Sequence, residues 1–320
     1  MSARVFLIVS HYMGVRLIDE LLKSGDEIVG VVAGQVKPAT GGNWYVPVEY
    51  DVRVKALGNY LPLYKPDPAE LNSPEFLEAI RRTNPDYIVS GYYARIFGDK
   101  LLSIPPKGCV NLHPAKLPEC RGMTPHFSHM LLGHDRNHIT MHWLNAGVDT
   151  GDIIAQTSIA IRPEHTGFET GRRLTEAGME MFGKFWPKVK DGSAPRTAQD
   201  ESRASTFNFS WDMAEIDWTR SATEIWNLVR TLTRPLGGAR TMAGGRGMHV
   251  WKVDVVEPEA ELKTDESLPG RVLALTGGGM WVQCGQGQVR LREVTLDDRP
   301  ENTPFELLAG YGGRMPLLLG

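Results

Sequence analysis

Hydrophobic and polar positions along the first part of the chain follow two alternating patterns. Residues 4–10 and 27–33 are continuous apolar runs of strand length, and between them residues 14–23 place apolar side chains at helical spacing. An unbroken apolar run is typical of a parallel strand buried on both faces, and a single apolar stripe is typical of the helix that covers it. The first 33 residues therefore predict a βαβ unit.

The same alternation continues to residue 188. Asn72-Ser73-Pro74 predicts the start of a helix inside 68–83, because Ser can cap a helix and Pro is tolerated in its first turn. Further apolar patterns predict strands at 87–90, 109–112, 139–144 and 153–161, and helices at 126–132 and 166–188. Strands that alternate with helices predict an α/β fold with a doubly wound, mostly parallel sheet, in which ligands bind beyond the carboxyl ends of the strands.

A polar, turn-rich stretch at 191–208 interrupts this pattern. It predicts a linker between a catalytic domain at 1–190 and a C-terminal domain at 209–320. Ser221-Ala-Thr-Glu224 resembles a capping box and predicts a helix at 221–233. Apolar runs then recur at 248–256, 271–276, 280–284 and 288–294 between Gly-rich turns, which predicts a small OB-like antiparallel β-barrel.

Composition narrows the class of protein. The 320 residues are 42% hydrophobic and carry a formal charge of −3, so no overall positive field would hold nucleic acid or an anionic membrane. The cysteines, Cys109, Cys120 and Cys284, lack the CxxC spacing of a zinc site and suggest no disulfide framework. The N-terminus lacks the pattern of a signal peptide and no apolar run reaches 18 residues, so we expect a cytoplasmic protein.

Candidate chemistry lies where the predicted strand at 109–112 ends. Asn111 and His113 are two residues apart and so point to one face of the strand, and Asp149 offers a carboxylate in a later loop. A histidine can take the proton of an attacking amine, and an amide N–H can stabilise an oxyanion. These residues predict direct acyl transfer to nitrogen, since no Ser or Cys nucleophile lies beside the histidine. On the residues alone, a purely structural Asn-x-His strand end stays open.

Two longer motifs are similar to those of the folate-dependent formyltransferases. They read Asn111-Leu-His113-Pro-Ala-Lys-Leu-Pro118-Glu-Cys-Arg121-Gly122 and Thr140-Met-His142-Trp-Leu-Asn145-Ala-Gly147-Val-Asp149-Thr-Gly151. The spacings from His113 to Gly122, Thr140 and Asp149 match as a set. The resemblance implies the doubly wound fold and 10-formyltetrahydrofolate as the formyl donor.

The resemblance also implies residue roles. His113 would be the general acid/base, and Asn111 would hold the formyl oxygen and its oxyanion. Asp149 would pair with His113, and Thr140 would hold a water of the proton relay. Donor-binding positions would be Tyr93, Arg95, Ile96, Phe97, Asn145, Val148 and Asp152. Acceptor-binding positions would be Tyr12, Met13, Gly14, Lys116, Arg121 and Gly122.

The loop after His113 departs from the family pattern. Ala115 and Lys116 stand where the family usually has Ser and Leu. The charges of Lys116, Glu119 and Arg121 would either help to select the acceptor or simply be solvated.

Beyond residue 208 the resemblance continues. Ile216-Asp217-Trp218, Ala222-x-x-Ile225-x-Asn227-x-x-Arg230 and Cys284-Gly-x-Gly287 look like the C-terminal domain shared by tRNA formyltransferases and aminoarabinose-type sugar formyltransferases. The purine-pathway enzyme lacks this domain and is disfavoured.

The acceptor is predicted from one loop. In the tRNA enzymes a basic loop after the second strand reaches the acceptor stem, whereas here 34–47 has Lys37 as its single cation. One cation would neutralise too few phosphates, so we expect tRNA to be disfavoured. Trp44 and Tyr45 could stack on a base or pack the loop. The expected acceptor is a small primary amine, first a nucleotide-linked amino sugar. The alternatives are the side-chain amine of hydroxyornithine, methionyl-tRNA, and hydrolysis of the donor.

Two other classes of protein fit fewer of the residues. Six histidines between 113 and 142, with His126 and His129 at i, i+3, make a metallohydrolase conceivable. No Asp or Cys completes a recognisable ligand spacing, so we predict no metal. A folate-binding or nucleotide-binding protein without activity would have lost part of the Asn-His-Asp set, and all three residues are present.

Overall fold

The N-terminal part of the chain is built on one sheet. The computed structural model describes residues 2–34, 48–67, 69–123, 125–256, 268–276, 279–297 and 318–320. Within them the sheet has seven strands: β1 (Arg4–Val9), β2 (Glu27–Ala33), β3 (Leu63–Tyr64), β4 (Tyr87–Gly91), β5 (Cys109–His113), β6 (Arg136–Trp143) and β7 (Ile153–Ala160). Their order is β3-β2-β1-β4-β5-β6-β7. Strands β1 to β5 run parallel, whereas β6 is antiparallel to both of its neighbours.

Helices cover both faces of this sheet. They are α1 (His11–Lys23), α2 (Val52–Gly58), α3 (Pro74–Arg82), α4 (Asp99–Leu102), α5 (Ser128–Leu131) and α6 (Gly167–Asp191). The odd-numbered residues of β1 pack in one core with Phe182 and Trp186 of α6, whereas Phe6 and Ile8 pack in a second core with side chains of α3 and α4. Successive strand residues point to opposite faces. The prediction of a doubly wound α/β sheet is confirmed.

Side-chain caps begin the helices at the predicted places. The Ser73 side chain accepts a hydrogen bond from the Phe76 N–H at the start of α3, and Thr166 and Glu169 form a reciprocal capping box at the start of α6. Several bounds differ from the prediction, among them the start of β6, which is Arg136 rather than residue 139. Helix α1 begins at His11, and the predicted helix at 126–132 is a 3-10 turn at Pro125–Phe127 followed by the four-residue α5.

The C-terminal part has its own core. Helix α7 (Ala222–Leu232) begins with the predicted capping box, in which Ser221 and Glu224 exchange hydrogen bonds. It packs on an antiparallel sheet of β8 (Ala239–Ala243), β9 (Arg246–Val256), β10 (Val272–Thr276), β11 (Gly279–Gln283) and β12 (Gln288–Leu296). The order among the described residues is β10-β11-β12-β9-β8, which fits the predicted small barrel. In the part of the chain that the structure describes, every helix is too short or too polar to cross a membrane.

Candidate active site

A cavity of about 950 Å³ opens at the carboxyl ends of β4 and β5. The strand order changes direction between β1 and β4, and open α/β sheets bind ligands at such a switch point. The walls are the loops after β4 and β5, the loop between β6 and β7, and Thr206 and Asn208 of the polar stretch at 191–208. The volume is that of a pocket for a medium-sized organic ligand.

Asn111 is held by its neighbour on β6. The register of β5 and β6 places Asn111 opposite His142. The Asn111 Nδ2 lies 3.1 Å from His142 Nε2, and His142 Nδ1 lies 2.8 Å from the carbonyl oxygen of Trp143. A carbonyl oxygen only accepts, so Nδ1 carries the proton and Nε2 accepts from the Asn111 amide. Burial lowers the pKa of His142 to about 4, although the nearby Asp149 carboxylate acts to raise it. The ring is therefore neutral at pH 7. One N–H of the Asn111 amide is left for a ligand.

His113 and Asp149 meet inside the cavity. His113 is 4% exposed, and its Nδ1 lies 3.4 Å from Asp149 Oδ1. Its Nε2 lies 3.0 Å from the carbonyl oxygen of Cys120. Both ring nitrogens lie beside oxygen atoms, but a neutral imidazole carries one N–H and donates to only one of them, so the other nitrogen keeps a lone pair that can take a proton. The cavity brings together Asn111, His113 and Asp149, three of the four residues to which the sequence analysis gave a part in the chemistry.

Two glycines of the motifs shape the loops around Asp149. Asp149 has a left-handed backbone with φ 52°, and its Oδ2 accepts the Gly122 N–H at 3.0 Å. Gly122 itself has φ 109°, a conformation that other residues rarely adopt. Gly151 approaches Trp143 so closely that a Cβ would lie 1.9 Å from the Trp143 carbonyl oxygen. Backbone geometry therefore requires glycine at both positions.

Thr140 has a different role from the predicted one. Its side chain is fully buried, and Oγ1 donates to the Ala115 carbonyl oxygen at 2.7 Å. The same oxygen accepts from the Leu117 N–H at 3.2 Å and from Gln156 Nε2 at 2.9 Å. These contacts use the hydrogen-bonding capacity of the hydroxyl. The expected water-holding role is corrected: Thr140 fixes the loop after β5.

Most of the predicted donor-binding residues line the cavity. Those that do so are Tyr93, Arg95, Ile96, Phe97, Asn145 and Val148. Asn72 anchors the loop after β4, because its side chain accepts from the Gly98 N–H at 2.7 Å and donates to the Ile96 carbonyl oxygen at 3.2 Å. Asp152 does not line the cavity. Its carbonyl oxygen accepts the Trp143 N–H at 2.9 Å and so closes the loop between β6 and β7.

The predicted acceptor-binding residues of α1 lie elsewhere. Met13 is fully buried in the core, and the Tyr12 hydroxyl donates to the Glu176 carboxylate on α6. Tyr12, Met13 and Gly14 do not line the cavity, because this part of α1 faces α6 and the sheet. Burial speaks against contact of Met13 and Gly14 with the acceptor, whereas the assignment of Tyr12 stays a prediction.

Charges on the loop after His113 are paired with the segment between the domains. Arg121 lines the cavity with Gly122, but its Nη2 lies 2.7 Å from both Gln199 Oε1 and Glu201 Oε1. Glu119 pairs with Arg203. Lys116 does not line the cavity. Two of these charges are thus paired within the protein, and the assignment of Lys116, Arg121 and Gly122 to the acceptor stays a prediction.

Several lining residues were not assigned to the site from the sequence. His11 follows β1, and the ring of His126 stacks on Tyr92 with centroids 5.7 Å apart. His11 follows β1, one of the two strands at the switch point, and this position could have placed it in the site from the sequence. Thr206 and Asn208 also line the cavity, and nothing in their local sequence predicts that approach.

The crowded histidines do not assemble a metal site among the described residues. The ring of His129 lies near those of His134 and His138, with centroids 5.4 and 5.3 Å away. Lys37, Trp44 and Tyr45, on which the acceptor prediction depended, lie outside the described residues.

Two family models match the chain. The model described as Formyl transferase matches residues 16–184, and the model described as Formyl transferase, C-terminal domain, matches residues 209–312. The two matches fall on either side of the polar stretch at 191–208.

Similar proteins match over nearly the full length. The chain is 31% identical to the methionyl-tRNA formyltransferase of Geobacter metallireducens over 294 residues, which cover 92% of this chain and 91% of that protein. It is 30% identical to the methionyl-tRNA formyltransferase of Thermotoga sp. over 309 residues, which cover 96% and 95%. The expectation that tRNA is disfavoured is therefore wrong. It depended on the charge of one loop, whereas the similarity to these tRNA enzymes extends along the whole chain.

Solved structures share the fold. An N-formyltransferase from Helicobacter canadensis, in complex with folinic acid and dTDP-3-aminofucose, matches with a TM-score of 0.63 and 14% identity over 91% of this chain and 99% of that chain. A variant of HypX from Aquifex aeolicus matches with a TM-score of 0.64 and 16% identity over 98% of this chain. The match covers 48% of HypX, so the present chain spans about half of that protein's length.

Proposed function

The chain belongs to the formyl transferase family, and on this premise we propose that it transfers a formyl group from 10-formyltetrahydrofolate to the amino group of methionyl-tRNA. The observation that carries the chemistry is the set of Asn111, His113 and Asp149 in one cavity. The similarity to methionyl-tRNA formyltransferases over more than nine-tenths of the chain supports the acceptor.

The cavity suits a folate donor. The loop after β4 offers the aromatic rings of Tyr93 and Phe97 and the exposed aliphatic side chain of Ile96 for a flat heterocycle. Arg95 on the same loop offers a cation for an anionic tail. When bound, the donor supplies an activated formyl group.

The side chains divide the chemistry among them. The remaining N–H of the Asn111 amide stabilises the negative charge that develops on the formyl oxygen. His113 takes the proton of the attacking amine and delivers it to the departing nitrogen, and Asp149 orients His113 and stabilises its charge.

Substitution of the catalytic set tests this chemistry. We expect Asp149→Asn and His113→Ala each to lower kcat by roughly 100-fold or more, which is the usual contribution of general acid/base catalysis. Formyl transfer is measured by mass gain on the acceptor, and circular dichroism checks the fold. Arg82→Ala, at an exposed residue of α3, is the control and should retain wild-type turnover. Near wild-type turnover in either site variant would contradict the assigned mechanism.

A panel of acceptors tests the choice of amine. The purified protein is incubated with 10-formyltetrahydrofolate and either methionyl-tRNA, a nucleotide-linked amino sugar, hydroxyornithine or buffer alone. We expect methionyl-tRNA to gain one formyl group with the highest kcat/KM. A higher kcat/KM for the amino sugar or the amino acid would replace the proposed acceptor, and donor loss in buffer alone at the same rate would indicate a hydrolase.

A further inference from the structure

We propose that Gln199, in the segment between the two domains, is a positioning residue for formyl transfer because it holds the loop that carries Asp149. This role rests on the proposed function, in which Asp149 belongs to the catalytic set. The polar composition of residues 191–208 predicts only a linker, yet this segment touches both loops that meet at the catalytic carboxylate.

The Gln199 side chain joins two loops through one amide group. Its Nε2 donates to the carbonyl oxygen of Asp149 at 2.7 Å and to that of Gly151 at 2.8 Å. Its Oε1 accepts from Arg121 Nη2 at 2.7 Å and from Arg121 Nε at 3.2 Å. Both ends of the amide are therefore engaged, and the loop after β5 is linked to the loop between β6 and β7.

The backbone at Asp149 needs such support. The φ of 52° at Asp149 lies in the left-handed region, which residues other than glycine adopt infrequently, although Asp adopts it more often than most. Strained conformations persist where the surrounding structure fixes them. Gln199 binds the carbonyl groups on both sides of Thr150 and so holds the turn that aims the Asp149 carboxylate at His113.

The Asp149 carboxylate is also linked to the segment between the domains, through the loop after β5. Its Oδ2 accepts the Gly122 N–H, and the preceding Arg121 forms backbone hydrogen bonds with the segment. The Arg121 N–H donates to the Ser205 carbonyl oxygen at 2.9 Å, and the Phe207 N–H donates to the Arg121 carbonyl oxygen at 2.9 Å. Residues 199–207 therefore hold the main chain of Asp149 directly and its side chain through Arg121 and Gly122.

Gln199→Glu is the sharpest substitution for this role. It keeps the size of the side chain and an oxygen that accepts from Arg121. It replaces the donating Nε2 with a second oxygen, which would be repelled by the carbonyl oxygens of Asp149 and Gly151. A displacement of about 1 Å in a catalytic group can lower the rate about 100-fold. We expect kcat to fall about 10- to 100-fold, while KM for the donor changes less than about twofold, because Gln199 does not line the cavity.

The control variant is Ser202→Ala. Ser202 is exposed in the same segment, and its side chain bonds only within the segment, to Asp200. Wild-type kcat in Ser202→Ala, with an unfolding temperature in both variants close to that of the wild type, would assign the loss to the Gln199 contacts rather than to the segment as a whole.

A double-mutant cycle separates positioning from general stability. Single-turnover rates are compared for Gln199→Glu in the wild-type and Asp149→Asn backgrounds. If Gln199 acts through Asp149, its substitution changes the rate less than about twofold once the carboxylate is gone, since coupled residues are not additive. Equal fold losses in both backgrounds, or wild-type kcat in Gln199→Glu, would overturn the role.

Hydrogen exchange gives a readout that does not need activity. The Gly122 amide donates to Asp149, so Gln199→Glu should increase exchange in a peptide covering 119–123, and Ser202→Ala should not. Unchanged exchange would overturn the role of Gln199. If the wild-type protein formylates no acceptor in the panel but Gln199→Glu still increases this exchange, only the proposed function would be overturned.

Discussion

The contact between Asn111 and His142 decides which end of the Asn111 amide faces the cavity. Because His142 is neutral and its Nδ1–H is bound by Trp143, only its Nε2 lone pair faces Asn111, and an amide oxygen there would be repelled. We expect His142→Leu to lower kcat about 10- to 100-fold, since a buried N–H without a partner costs about 1–3 kcal/mol and the amide can then rotate. Steady-state kinetics at pH 7.5 measures the loss.

The matched variant is His142→Gln, whose side-chain oxygen can accept from Asn111. Partial recovery of kcat relative to His142→Leu is expected, with KM for the donor little changed in both. A kcat within twofold of wild type in His142→Leu would mean that another group orients the amide.

Single residues were predictable where the chemistry is local. Asn111 and His113 share one strand, so their common direction follows from strand geometry. The partners that tune them are not local: His142 pairs through the sheet register, and Gln199 reaches Asp149 across fifty residues of chain. The partner of Tyr12 is likewise not local, since Glu176 lies on a distant helix.

Helices and strands were predicted wherever a cap or a long apolar pattern marks them. The capping residues Ser73, Thr166 and Ser221 each begin a helix as expected. The short elements α2, α4, β3 and β8 were missed, because two to seven residues carry too little periodicity to distinguish them from a loop.

Two glycines in different elements should respond oppositely to alanine. Gly151→Ala places a Cβ 1.9 Å from the Trp143 carbonyl oxygen, so the loop between β6 and β7 must shift, and we expect a lower unfolding temperature together with a lower kcat. Gly171 lies within α6 with open space around it, and Gly171→Ala should stabilise the protein by about 0.5–1 kcal/mol. Thermal unfolding of both variants measures the difference. A Gly151→Ala protein with wild-type stability and activity would show that the loop can shift at no cost.

Buried histidines predict that the free energy of unfolding of the whole molecule decreases at acid pH. Burial, with smaller contributions from His138, His134 and Lys116, lowers the pKa of His129 to about 4. Between pH 6.5 and 4 the unfolded chain binds a proton at this histidine that the folded chain does not, so stability falls as pH decreases. The expected contribution is about 1.4 kcal/mol per pH unit in that window.

Urea unfolding at several pH values between 7 and 4.5 measures this dependence. His129→Leu should flatten the slope by about 1.4 kcal/mol per pH unit, while Arg82→Ala should leave it unchanged. An identical slope in His129→Leu and wild type would show that the proton is bound equally in both states.

The pairing of residues 197–207 with the catalytic loops bears on how such proteins can be recombined. A polar, turn-rich stretch is the natural place to join the N-terminal part of one relative to the C-terminal part of another. In this protein, a joint near residue 190 would take residue 199 and the backbone partners of Arg121 from the other relative, while Asp149 and Arg121 themselves would stay from this chain. A crossover placed after Asn208 keeps this part of the cavity wall together with the sheet that carries the catalytic residues. We therefore expect chimeras with the later crossover to keep turnover and chimeras with the earlier one to lose it.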